Sequence, residues 1–73
     1  MVSRRLKIHL GNLLDSKDIS ARELSRRTGV RHVTISKIIN GEAIYISFEN
    51  IEKICIELEI DVNEIMSMIE ENE

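Results

Sequence analysis

Between Ser20 and Asn40 the chain reads as two short amphipathic helices broken by one glycine, and that spacing leaves few folds open. Counting from Ala21, apolar residues fall at Leu24, Val30, Ile35 and Ile38, and Thr28-Gly29 interrupts the helical period between them. Glycine at such a point suits a chain that leaves a helix with positive φ, a conformation it adopts without a Cβ clash. Ser20 and Glu23 have capping-box spacing: the serine accepts from the Glu23 N–H and the carboxylate reaches back to the Ser20 N–H. Asn40-Gly41 stops the second helix, which runs from about Arg31 to Ile39.

Two helices joined by a turn of three or four residues containing glycine form a helix-turn-helix, here about residues 20–40. In such a unit small Ser25 lies where the helices come closest and Val30 plugs the space behind the turn. The outer face of the second helix, His32, Val33, Ser36 and Lys37, is left free to enter a major groove.

The flanking segments also read as helical. Leu6, Leu10, Leu13 and Leu14 follow i, i+4, i+7, i+8, so a first helix is expected from about Leu6, capped by Ser3, to near Lys17. Gly11 weakens it by roughly 1 kcal/mol relative to alanine. "EAIYI", residues 42–46, has strand-like residues but no partner strand, and is expected to be an ordered loop. Ser47 caps a further helix whose apolar face is Phe48, Ile51, Ile54, Cys55 and Leu58. Asp61 and Glu64 form a second capping box opening a helix through Val62, Ile65, Met66 and Ile69, and "EENE" reads as a frayed tail. The expected fold is one all-α domain over residues 1–73, with five helices and short connections. With no proline and only Tyr45 and Phe48 as aromatics, its core must be aliphatic. Seventy-three residues lie near the lower size limit for such a core.

Charge is divided along the chain. Residues 1–40 hold nine Lys/Arg against three acids, +6; residues 41–73 hold one against ten, −9, for the total of −3. A polyanion would be drawn to one half and repelled by the other. Cys55 alone forms no internal disulfide and, on the apolar stripe of its helix, reads as core; a reduced cytoplasmic setting fits. His9 reads as a surface histidine, and two isolated histidines with one thiol make no metal site. No catalytic arrangement or cofactor motif emerges, and no apolar run has the length of a signal peptide or membrane span.

"ISARELSRRTGVRHVTISKIINGE" resembles the helix-turn-helix of the Cro/C1-type (XRE) family of bacterial and phage repressors, and "ISFENIEKICIELEIDVNEI" is similar to that family's fourth and fifth helices. The resemblance spans about Leu6 to Met66 and implies a five-helix lambda-repressor-like domain that binds double-stranded DNA. It implies base reading by His32, Val33 and Lys37, with Arg31 and Thr34 touching backbone or bases, and phosphate contacts from Ser20 and Asn40. Arg31 and Lys37 suit guanine O6 and N7, and Val33 suits a thymine methyl group. Arg4, Arg5, Arg26 and Arg27 are phosphate contacts or plain solvated charges. Three departures stand out. Ala21 replaces the usual phosphate-binding glutamine, leaving Arg22 to substitute; Glu42 follows "NG" where the loop is usually basic; and Leu14 and Ile39 occupy positions that in some members hold a buried Arg–Glu pair.

One such domain reads four or five base pairs, so a repressor of this kind is expected to work as a homodimer on a two-fold operator. Apolar residues beyond core needs, Ile44, Tyr45, Ile56, Met68 and Ile69, offer a dimer surface in the C-terminal half. With no second domain for a small ligand, regulation falls to abundance, dimerisation or a protein regulator. The rival reading is a protein-interaction module, such as the antitoxin of a toxin–antitoxin pair, whose DNA binding is autoregulatory; Ala21 and Glu42 favour it.

Overall fold

The computed structural model describes residues 2–43 and 45–72. The order along the chain is β1 (Val2–Ile8), α1 (Leu10–Lys17), α2 (Ala21–Thr28), α3 (His32–Ile39), α4 (Phe48–Leu58), α5 (Val62–Ile65) and β2 (Met66–Asn72). The five expected helices are present, but the fold is not all-α. The two ends of the chain pair as an antiparallel two-stranded ribbon.

Among the described residues nine aliphatic side chains form the buried core, drawn from every helix: Leu10 and Leu14 of α1, Leu24 of α2, Ile35 and Ile38 of α3, Ile54 and Leu58 of α4, Ile65 of α5, with Val30 from the turn. Gly11, a weak helix former by propensity, has a packing reason. A Cβ there would come within 3.2 Å of Ile39 Cγ2, so glycine lets α1 approach α3. The ends of α1 and α4 are fixed without glycine. Asp18 and Glu59 take positive φ, and Ile19 and Ile60 just beyond them pack on the core and donate back to Leu14 and Cys55 carbonyls at 2.9 and 3.0 Å.

The ribbon overturns four expectations. Ser3 caps no helix, because residues 2–8 are extended and α1 begins at Leu10 behind an N-cap at His9. The fifth helix is one turn long: Asp61 and Glu64 do form the capping box, but backbone at Met66 turns extended (φ −144, ψ 147) and Met66 and Ile69 belong to β2. Glu70, Glu71 and Asn72 of the supposed tail are paired with Arg4, Ser3 and Val2. His9 joins ribbon to bundle, its N–H donating to the Ile65 carbonyl at 2.5 Å and its Nε2 lying 2.6 Å from Ser67 Oγ. It is a half-buried seam residue rather than a surface histidine. Seven-residue strands span about 20 Å, and the ribbon accounts for an elongated molecule of 43 × 22 × 19 Å. Of "EAIYI", the described residues pair in no sheet, as expected of a loop, and Ile44 lies outside the described residues.

Candidate nucleic-acid interface

The turn between α2 and α3 is built as its sequence demands. Gly29 sits at φ +79, ψ −1 and donates to the Ser25 carbonyl at 2.8 Å. Thr28 Oγ1 donates to the Leu24 carbonyl at 2.8 Å and accepts from the Val30 N–H at 3.1 Å. Val30 is buried behind the turn. Ser25 does more than save space: its hydroxyl donates to the Val30 carbonyl at 2.6 Å, tying α2 to the start of α3. Together these bonds fix α3 relative to α2, and the buried Leu24, Ile35 and Ile38 hold the pair on the core.

That frame presents one side of α3 to solvent. His32, Val33 and Lys37 are exposed, as is Arg31 at the N-cap, and Thr34 and Ser36 are half-buried. Val33 is 48% exposed, an uncovered β-branched side chain on the outer face of an otherwise polar surface. Ser20 caps α2, its Oγ accepting from the Glu23 N–H at 3.0 Å, which leaves its hydroxyl proton free to donate outward. Arg22 and Asn40 are exposed at the start of α2 and the end of α3.

The capping box at α2 forms only in its first half. The Glu23 carboxylate turns to arginines instead, with Arg26 Nη2 against it and Arg27 Nε at 3.5 Å. On the ribbon, Arg5 lies 3.5 Å from Glu71 and Arg4 stands opposite Glu70. Helix spacing and strand pairing thus bring four of the nine N-terminal cations beside acids. Among the described residues no carboxylate lies within ion-pair distance of Lys7, Lys17, Arg22, Arg31 or Lys37. The uncompensated positive charge is narrower than the sequence division suggested, and three of these five cations lie on α2 or at α3.

Tyr45, read from sequence as surplus to the core, is 89% exposed, and it stands beside Thr34, Lys37 and Glu42 around a hollow of about 290 Å³ on the flank of α3. The only signal available was its position just past the "NG" stop. Cys55 is partly buried against the core, and burial, with Asp61 and Glu64 nearby, pushes its thiol above the ordinary range. Among the described residues no three His, Cys, Asp or Glu side chains cluster as metal ligands do, and no helix is long and apolar enough to cross a membrane.

A family model described as a Cro/C1-type HTH DNA-binding domain matches residues 9–71. Curated proteins and solved structures give no match.

Proposed function

Since the chain belongs to the Cro/C1-type helix-turn-helix DNA-binding domain family, we propose that it is a transcriptional regulator that represses by occupying a two-fold operator as a homodimer. The observation that carries this reading is the unpaired, exposed face of α3 beside the α2 N-terminus. Arg31, His32, Val33 and Lys37 are the base readers: the two cations donate to guanine O6 and N7, His32 donates or accepts at a base edge, and Val33 meets a thymine methyl. Ser20, Arg22, Thr34 and Asn40 grip phosphate. The first residues of α2 add free backbone N–H groups and the positive end of the helix dipole, which suits an anion.

The test begins with a site selected from random duplexes or footprinted near the chain's own gene. Affinity should fall steeply with salt, as each neutralised phosphate releases counterion. Lys37→Ala should weaken the selected site by roughly 1–3 kcal/mol and leave a scrambled duplex almost unchanged, whereas Asn40→Ala should weaken both equally. Equal loss on both duplexes for Lys37→Ala would make Lys37 a backbone anchor. A flat salt response would remove DNA from the account.

A further inference from the structure

Glu42, on the flank of α3, has no part in the contacts described so far, and an acid in that place opposes phosphate. It is exposed, and its position is fixed by the way α3 ends. Gly41 turns the chain back on the helix at φ +74. Gly41 then donates to the Ile38 carbonyl at 3.3 Å, Glu42 to the Lys37 carbonyl at 2.9 Å, and Ala43 to that same carbonyl at 3.2 Å. This is the bonding of a Schellman stop, in which the two residues joined by the longer bond commonly sit near an apolar contact. Here those two residues are Lys37 and Glu42, of opposite charge. Among the described residues no carboxylate lies within ion-pair distance of Lys37, so the stop sets the two beside each other without tying them together. With Thr34 and Tyr45 they surround the hollow of about 290 Å³. In the proposed complex Thr34 grips phosphate and Lys37 reads bases, which puts the hollow between the groove wall and the base edges.

We propose that Lys37 and Glu42 together read one G·C base pair, with Glu42 a specificity-determining residue. The proposal rests on the operator reading, which puts α3 in the major groove. A carboxylate there can bond only to an amino group, N4 of cytosine or N6 of adenine. The adenine amino group lies between the acceptors N7 and thymine O4, which repel a carboxylate from both sides; the cytosine amino group has an acceptor on one side only. That neighbour is guanine O6, which with N7 suits the Lys37 ammonium. The edge of a G·C pair thus runs acceptor, acceptor, donor, and a cation and an anion held at one helix end match it together. Tyr45, 89% exposed in the free chain, walls the hollow. Once a duplex covers the ring, water is kept from both contacts and each charge acts more strongly. Against other sequences Glu42 meets acceptors or phosphate and repels them, so it adds to discrimination by weakening the wrong complexes as well.

Titrations of the full chain with duplexes at one fixed salt test the pair. Each G·C pair of the selected site is altered in turn, with 7-deazaguanine to remove N7 or with pyrimidin-2-one in place of cytosine to remove the amino group. At one pair the wild type should lose about tenfold in affinity for either analogue, as expected of a base contact. The loss from pyrimidin-2-one should vanish in Glu42→Ala, and the loss from 7-deazaguanine in Lys37→Ala. Glu42→Ala should also bind a scrambled duplex severalfold more tightly than wild type, because a charge opposed to phosphate has gone. Glu42→Gln should share that gain yet keep part of the preference for the pair, since its amide oxygen still accepts. Both side chains are exposed and the stop is made of backbone bonds, so each variant should keep the wild-type circular dichroism spectrum. If Glu42→Ala strengthened selected and scrambled duplexes by the same factor, Glu42 would only repel phosphate and the proposal would fall. Analogue losses that all persist in Glu42→Ala would overturn it too, while leaving the operator reading intact. A wild type that binds no duplex would overturn both.

Discussion

Replacing Gly29 with alanine isolates one physical effect, because nothing surrounds the position. An added Cβ meets no heavy atom within 4 Å, so crowding of the turn contributes nothing, and the cost is that of backbone conformation alone. At φ +79 an L-residue is in the left-handed region, which costs about 1–2 kcal/mol. In a domain of this size each kcal/mol lowers Tm by about 4–8 °C, so Gly29→Ala should melt roughly 5–15 °C below wild type. Gly29→Asn should fall between them, since asparagine visits this region more readily. The decisive variant is D-alanine at position 29, accessible by chemical synthesis of a chain this short. It carries the same methyl group but prefers positive φ, and should melt at or above the wild-type temperature. Thermal unfolding followed by circular dichroism reads all four proteins. If D-alanine proved as harmful as L-alanine, space rather than φ would be the constraint at this turn. An L-alanine variant melting with wild type would show that the turn does not depend on the left-handed residue at all.

Ser25→Ala removes the hydroxyl that donates to the Val30 carbonyl at 2.6 Å and should destabilise by about 1 kcal/mol in urea denaturation, while Ser25→Leu, which also forces the helices apart, should cost more. The Cys55 thiol, raised by burial and then by Asp61 and Glu64, should react with a disulfide reagent at pH 8 more slowly in the folded protein than in urea. Because the folded thiol holds its proton more tightly than the unfolded one, wild-type stability should be full below the ordinary thiol range and fall relative to Cys55→Ala as pH rises through it. An identical pH profile for the two would show that the thiol feels no such environment.

The central part of the fold was legible because its signals are local. Gly29, Ser20 and Ser47 mark ends that depend only on nearby backbone, and the structure has them as a positive-φ residue and two capping acceptors. Leu24, Val30, Ile35 and Ile38, picked out by spacing, are all buried. Phe48 shows where spacing misleads. It falls on the apolar stripe of α4, but Ile46 and Ile51, at hydrophobic-staple spacing about the Ser47 cap, are the residues packed on the core, and Phe48 at the first position is 93% exposed. Glu23 shows that a motif can be half right when a stronger partner competes: two arginines within one turn take the carboxylate that the box would have used.

The ribbon was hidden for a different reason. Leu6 lies four residues before Leu10, and Ile69 four after Ile65, so each strand continues the helical period of its neighbour and a short apolar run cannot be told apart by period alone. The alternation Arg5, Leu6, Lys7, Ile8 and the pair Met66, Met68 carried a period of two, but a strand is defined by its partner, and these partners stand at opposite ends of the chain. Once paired, they change the electrostatic argument too. A division of +6 and −9 along the sequence suggests two oppositely charged lobes, yet antiparallel pairing lays Arg4 and Arg5 beside Glu70 and Glu71. Five cations of the basic half remain without acidic partners among the described residues, Lys7, Lys17, Arg22, Arg31 and Lys37. Arg22, Arg31 and Lys37 are the ones that the helix-turn-helix sets on a rigid, outward-facing surface. A duplex approaching that surface therefore meets three unpaired cations on α2 and α3, while the paired charges of Arg4 and Arg5 with Glu70 and Glu71 on the ribbon largely cancel beyond about a Debye length.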